Sequence, residues 1–292
     1  MLPWSAEPTT SDDAMTSRPS FLFRLFRHLV LGGGAVLFLL PFVWMVLTSL
    51  KPADEIFTST VHWFPTQWAA IDNYTQALTQ VPLLRYLGNG VLVCTAILLL
   101  QIVVALPAAY AFAKLDFRGK QWGWRLVMLA LMIPYQAIAI PLYVMLHWVG
   151  LLDTLAALVL PFTLSAFGIF LMRQFFKTIP DDLIHAARLD GMSEIGLVWR
   201  VMLPAALPAL LAFSIFSVVA HWNDYFWPLL VISSPELATP PLGTMFFRNE
   251  EAGIHYGPLM AGTVMITAPL LLLFIIAQKR FIDGVTLSGV KG

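Results

Sequence analysis

The sequence predicts an all-α membrane protein of six transmembrane helices with both termini in the cytoplasm. Hydrophobic residues fill 59% of its 292 positions and charged ones only 12%, against about 45–50% and about 25% in an ordinary soluble domain. Six stretches lack Asp, Glu, Lys and Arg over lengths near the roughly 20 residues that cross a hydrocarbon core. The basic residues gather on one side of those stretches, which sets their direction.

A charged side chain at the bilayer centre costs about 2.5–3.5 kcal/mol on insertion scales, so charge-free runs mark what lipid tolerates. They are 28–50, 86–113, 126–152, 154–172, 201–223 and 252–278. The fifth continues past Asp224 through Leu229; as one helix it sets residue 224 about 30 Å from Pro204, at about 1.5 Å per residue. Arg18, Arg24 and Arg27 precede the first run, and Lys114, Arg118, Lys120 and Arg125 separate the second from the third. Arg173, Lys177, Arg188 and Arg200 separate the fourth from the fifth, and Lys279, Arg280 and Lys291 follow the sixth. Only Lys51, Arg85 and Arg248 lie opposite, so the positive-inside rule places the termini and the 173–200 loop in the cytoplasm. The expected division is a cytoplasmic segment 1–27, a six-span domain 28–279 and a cytoplasmic tail 280–292. The run after Arg27 is too long for a signal-peptide core, so the first span is read as a retained anchor.

Formal net charge is zero and the pI is near 7, which offers no basic field to nucleic acid. The single cysteine, Cys94, sits in an apolar run and reads as a buried structural thiol. The six histidines show no i, i+3 or i+4 pairing, so no metal site is expected. Gly119-Lys120 lacks the glycine five positions upstream that a phosphate-cradling loop needs. No catalytic residue and no cofactor are expected, and any nucleotide chemistry belongs to another chain.

The loop between the fourth and fifth runs carries the most information. Pro180, Asp181 and Asp182 suit a helix start, where a missing N–H is harmless and negative charge meets the dipole. Gly191 suits the left-handed position just past the end of that helix, and Ser193-Glu194 begins a second one. Leu183, Ala186, Ala187 and Asp190 fall at i, i+3, i+4 and i+7, a flat face that expects a protein partner. The second helix offers Ile195, Val198, Trp199 and Met202. An interfacial helix lying on lipid is the alternative.

His185-Ala186-Ala187-Arg188-Leu189-Asp190-Gly191, followed after nine residues by Val201-Met202-Leu203-Pro204, resembles the EAA loop of binding-protein-dependent importer permeases. In that family the loop docks on the ATPase subunit. His185 stands where the pattern has Glu and Met192 where it has Ala. Trp222-Asn223-Asp224-Tyr225-Phe226-Trp227-Pro228-Leu229 and the tail Gly284 to Gly292 resemble the smaller permease subunit of maltose-type carbohydrate transporters.

The resemblance implies the type I ABC importer permease (MetI-like) fold in the inner, or plasma, membrane. It implies a second homologous permease, two ATP-binding-cassette ATPase subunits, an external solute-binding protein and a sugar as partners. Coupling to the ATPase would fall to His185, Ala186, Ala187, Asp190, Gly191, Leu203 and Pro204. The 233–256 loop, with Arg248, Asn249 and Glu250, would meet the binding protein or be an ordinary solvated loop.

Polar residues within spans are candidates for the solute pathway, because an acid beside an amide in lipid faces a cavity or a partner helix. Asn223, Asp224, Tyr225 and Gln136 are those candidates; for Gln136, as for Tyr135 and Gln101, an interhelical hydrogen bond is the other reading, and for Trp222 and Trp227 an interfacial belt. No span contains Lys or Arg, which points to an uncharged sugar or polyol, with a glycerol-phosphate-type solute as alternative. An ion-gradient transporter is the rival of another class; it wants ionisable groups deep in several spans, and only Asp224 qualifies.

Overall fold

The structure, a computed structural model, describes residues 21–58, 60, 62–249 and 253–286. The chain divides into two units, Met1–Trp44 and Met45–Gly292. The described part of the first is most of helix α1 (Phe21–Ser49), which begins ahead of the charge-free run that opens at residue 28, with Arg24 and Arg27 in its first two turns, and is otherwise almost wholly apolar.

The second unit is helical apart from a two-residue antiparallel pair, β1 (Arg248–Asn249) and β2 (Gly253–Ile254), in which Arg248 faces Ile254. An external helix α2 (Ala70–Thr79) leads into α3 (Leu83–Lys114). After α3 come α4 (Lys120–Met132), α5 (Ala139–Trp148), α6 (Leu155–Val159) and α7 (Ala166–Phe176). The loop helices are α8 (Asp181–Leu189) and α9 (Glu194–Leu197), and the short α10 (Leu203–Ala205) leads to α11 (Leu207–Trp222). Two short helices, α12 (Phe226–Val231) and α13 (Pro240–Gly243), precede the last one, α14 (Tyr256–Thr286).

Six apolar crossings are present, three as single long helices and three as pairs bent at a break. α4 and the segment Tyr135–Trp148 meet at 98°, and Leu155–Phe162 meets α7 at 41°. The third pair, Glu194–Ala205 and Leu207–Trp222, meets at 87°, and a separate interruption past its end corrects the sequence reading of one helix running on through residue 224. α11 ends at Trp222, and the chain turns at Asn223 and Asp224 before α12.

Local chemistry accounts for the breaks. Pro134 removes an N–H and pushes Ile133 out of the helical region, to φ −85° and ψ 117°. Pro161 lies in the 3₁₀ turn Leu160–Phe162, and Ser165 then caps α7 by accepting the Gly168 N–H at 3.0 Å. Pro41, Pro107 and Pro269 stay inside helices that run on through them.

Two apolar clusters hold the unit together. One gathers Leu83, Tyr86, Ile97, Leu158, Trp227 and Phe247. The other gathers Leu106, Tyr110, Met172, Phe176, Ile184, Leu197, Met202 and Phe213, so the loop helices are part of the core. Cys94 is buried, as its apolar surroundings require.

Asp153, between the third and fourth crossings, has φ 57°. Its carboxylate accepts the N–H groups of Ser233 and Ser234, at 2.9 and 2.8 Å, and the Ser234 hydroxyl. Those bonds, the Ser234 hydroxyl first, hold its pKa below the usual 3.8. Asp153→Asn keeps one acceptor oxygen and tolerates the left-handed backbone; Asp153→Val loses the acceptors and adds strain of about 1–2 kcal/mol. Asp153→Val is therefore expected to lower the apparent melting temperature in detergent by several degrees more than Asp153→Asn does.

Candidate functional site

Nine residues at or beside the interruptions at 133–134, 163–165 and 223–225 line one cleft of about 860 Å³: Ile133, Tyr135, Pro161, Phe162, Leu164, Ser165, Asn223, Asp224 and Tyr225. Gln101 from α3 and His221 from the last turn of α11 also line it. Backbone freed from a helix in lipid needs a polar surface or protein around it, which is why the breaks collect at one cavity.

Asp224 accepts the Tyr135 hydroxyl at 3.1 Å and the Trp227 N–H at 3.3 Å. It therefore caps α12 and joins the third crossing to the fifth. Asn223 bonds back to the Val219 carbonyl at 2.8 Å, and the Tyr225 hydroxyl lies 2.8 Å from Met245 Sδ. Gln136 is exposed and is not among the residues that line the cleft. Gln101, which the sequence offered beside Gln136 and Tyr135 as a pathway or interhelical residue, lines the cleft. It donates to the Phe162 carbonyl at 2.9 Å and accepts the Ser217 hydroxyl at 2.6 Å. The interhelical reading holds for Gln101, which also lines the cleft. His221 was screened only for metal pairing in the sequence; it sits edge-on to Phe162, 5.1 Å between ring centres, and bonds the Ser217 carbonyl. Trp222 and Trp227 are buried and bond the carbonyls of Ile266 and Ala157, so neither forms an interfacial belt.

The loop helices form as their sequence demands. Gly191 has φ +77°, and the Met192 and Gly191 N–H groups bond the Ala187 and Arg188 carbonyls at 3.0 Å, closing α8 in a Schellman turn. Ser193 accepts the Gly196 N–H and caps α9. The face at i, i+3, i+4 and i+7 does not stay together. Ile184 and Ala187 turn into the core at 2% and 8% exposure, while Leu183, Ala186, Leu189 and Asp190 face out, Leu189 at 89%. The second helix departs in the same way: a π-helical turn, Val198–Met202, shifts its phase, burying Val198 and Met202 and leaving Ile195 62% exposed. Pro204 is exposed and Leu203 half-buried. His185 lines a recess of about 390 Å³ with Lys114, Lys120, Lys177, Asp181 and Arg188.

Ionic contacts fix the loop. Lys114 pairs with Asp181 at 2.7 Å, and Arg188 pairs with Glu194 at 2.8 Å. The Lys114 bond holds the Asp181 carboxyl below its usual range, and Arg188, then Tyr110, does so for Glu194. Depressed values mean that these ties are complete above the ordinary 3.8 and 4.5 and are lost only as pH falls through the lower folded values.

Of the external loop, Arg248 and Asn249 form β1 and Glu250 lies outside the described residues; so do Arg18, Lys291 and the tail from Leu287 onward. No group of three or more His, Cys, Asp or Glu able to hold a metal ion is found among the described residues.

A six-crossing helical fold, a polar cleft at three helix breaks and a structured loop with an exposed apolar face define a membrane transport subunit. The family profile of the binding-protein-dependent transport system inner membrane component matches residues 101–286. The chain belongs to that family. It is 33% identical, over 86% of its length and 91% of the relative's, to the arabinooligosaccharides transport system permease protein of Halalkalibacterium halodurans. It is 31% identical, over 95% of its length and 100% of the relative's, to the lactose transport system permease protein of Rhizobium radiobacter. Its fold matches a bacterial ABC transporter involved in the import of the acidic polysaccharide alginate, with a TM-score of 0.80 at 24% identity, over 91% of this chain and 98% of that one.

Asp224 has a capping role as well as a place in the cleft, so substitutions must separate the two. Asp224→Asn retains an acceptor for Tyr135 and Trp227, whereas Asp224→Leu retains none. Solute uptake by the assembled importer in vesicles should stay near wild type for Asp224→Asn. It should fall roughly fivefold for each bond lost in Asp224→Leu and Tyr135→Phe, at about 1 kcal/mol apiece.

Proposed function

We propose that the chain is the carbohydrate permease subunit of an ATP-driven importer. With a second, homologous permease it forms the path across the inner membrane, its termini and the 179–204 loop in the cytoplasm. Two ATP-binding-cassette ATPase subunits drive the path from that side, and an external solute-binding protein delivers the solute. The sequence carries no phosphate-cradling loop, so ATP hydrolysis is assigned to those partner chains.

The chemistry of the cleft carries the assignment of the solute as a sugar or polyol. Its polar lining is amide, hydroxyl, imidazole and carboxyl from Gln101, Ser165, His221, Asn223, Asp224, Tyr135 and Tyr225, with Phe162, Phe167 and Phe226 beside them. Such groups bond sugar hydroxyls and stack on their apolar faces. No Lys or Arg lines it to neutralise a phosphate or uronate, and Asp224 would repel one. The relatives named for arabinooligosaccharides and lactose carry neutral sugars in their names, in keeping with an uncharged solute.

Energy enters at the loop. ATP binding draws the two permeases' loops together, and the spans open outward toward the binding protein. Leu183, Ala186, Leu189 and Ile195 give the loop an apolar outer face suited to an ATPase cleft. Of the coupling residues, Ala187 acts from the inner face, by packing, while His185, Ala186 and Asp190 face the partner.

Three measurements test this reading. The cognate binding protein should show a raised melting temperature with neutral oligosaccharides or polyols; a response confined to sugar phosphates or uronates would overturn the choice of solute. A cysteine at Ala186 or Leu189 should crosslink to an ATPase subunit, and one at Ala187 should not. A side chain at Gly191 meets open space but bears left-handed strain of about 1 kcal/mol. Gly191→Trp is therefore expected to insert and assemble, yet lose import and the stimulation of ATP hydrolysis by loaded binding protein.

A further inference from the structure

We propose that Tyr110 and Lys114, in the last two turns of α3, are the positioning residues through which motion of the coupling loop is passed to the wall of the solute cleft. This rests on the reading that ATPase subunits dock on that loop.

Residues 110 and 114 are four apart and so share one face of α3. Each holds the first residue of a different loop helix. Lys114 donates to the Asp181 carboxylate at 2.7 Å, where α8 begins, and to the Ile179 carbonyl at 2.6 Å just ahead of it. Tyr110 donates to the Glu194 carboxylate at 2.5 Å, where α9 begins. Arg188, in the last turn of α8, closes on Glu194 from its other side with bonds of 2.8 and 3.2 Å. The two loop helices and the end of α3 are thereby joined into one body by directional bonds.

Apolar packing alone would let that body slide. Ile184, Ala187, Leu197 and Val198 already bury the inner faces of the loop helices in the core, and contacts of that kind have no direction along the helix axis. Hydrogen bonds with charged partners do have one, and they are the stronger sort. Tyr110 is 2% exposed and the Lys114 side chain 8%, so both grips are sheltered from competing water on the α3 side. A third tie adds α7: Arg173 donates to the Phe112 carbonyl at 3.1 Å and lies over Trp124, 3.8 Å from the ring centre.

The other end of the linkage is the cleft. Gln101 lies nine residues before Tyr110 on the same helix, roughly 14 Å along its axis. It binds the broken fourth crossing through the Phe162 carbonyl and α11 through Ser217. Pro107 stands between Gln101 and Tyr110, yet α3 runs unbroken through it, so the two ends move as one helix. A pull on α3 at positions 110 and 114 is thus delivered to the residues that set the width of the cleft.

The test uses the complete importer in proteoliposomes with binding protein, solute and ATP. Tyr110→Phe deletes one hydroxyl and Lys114→Met one amine, each leaving the buried stem. The double variant should assemble with its ATPase subunits and hydrolyse ATP within about twofold of wild type, while solute imported per ATP falls about tenfold, a decade per 1.4 kcal/mol of lost linkage. Lys114→Arg, which still reaches Asp181 and Ile179, should restore part of that ratio. If the double variant fails to assemble, Tyr110→Phe alone gives the same reading at smaller amplitude. Import and hydrolysis falling in proportion, or an unchanged ratio, would overturn the proposal. Absence of any ATPase association in the wild-type complex would instead remove the docking reading on which it rests.

Discussion

Lipid offers a backbone no hydrogen bonds, and the architecture follows from that constraint. Three of the six crossings are bent at a break, at Ile133–Pro134, at Thr163–Ser165 and at Ala206, and the chain of the fifth is interrupted again at Asn223–Tyr225. Each interruption frees N–H and C=O groups that a lipid-facing helix must not expose. The fold brings the interruptions at 133–134, 163–165 and 223–225 to one cleft, where Asp224, Ser165 and Gln101 take up backbone groups the helices release. Satisfying the backbone and building a polar pathway are here the same act. An intact third or fifth helix would have no need of the carboxyl at 224.

The loop at 179–204 obeys a second constraint, that a moving part must be stiffer than its surroundings. Its inner faces belong to a core cluster shared with α3, α7 and α11, and its outer face exposes Leu183, Ala186, Leu189 and Ile195 among charged residues. The Schellman closure at Gly191 and the Ser193 cap fix the end of α8 and the start of α9 independently of any partner. What docks on the outside therefore meets a preformed body, and what that body is bonded to inside decides which span feels the motion.

Much of this was legible in the sequence, and the exceptions have physical causes. Charge-free runs located every crossing because the cost of burying a charge in lipid is large and context-free. The breaks were not legible from proline alone, since Pro41, Pro107 and Pro269 sit inside intact helices while Pro134 and Pro161 lie at breaks. Periodicity placed Ala186 and Ala187 on one stripe, but whether a stripe faces in or out depends on where α3 and α7 stand, and Ile184 drew Ala187 inward. The π turn at 198–202 changed the phase of the second helix with no residue type to announce it. Gln101 and Gln136 are the same amide in similar apolar company, and only the fold separates the one that lines the cleft from the one that does not. His221 went unmarked as a cleft residue because a lone histidine has no spacing to read.

The claim that the cleft of broken helices is a wall of the solute pathway is tested most directly by cysteine accessibility in the assembled importer. With the buried Cys94 replaced by alanine, single cysteines at Ser165, Tyr225 and, as a lipid-facing control, Leu129 would be exposed to a hydrophilic thiol reagent with and without transported solute. The account predicts labelling at 165 and 225 that slows when solute and ATP are cycling, and none at 129. Labelling absent at both cleft positions, or indifferent to solute, would contradict it.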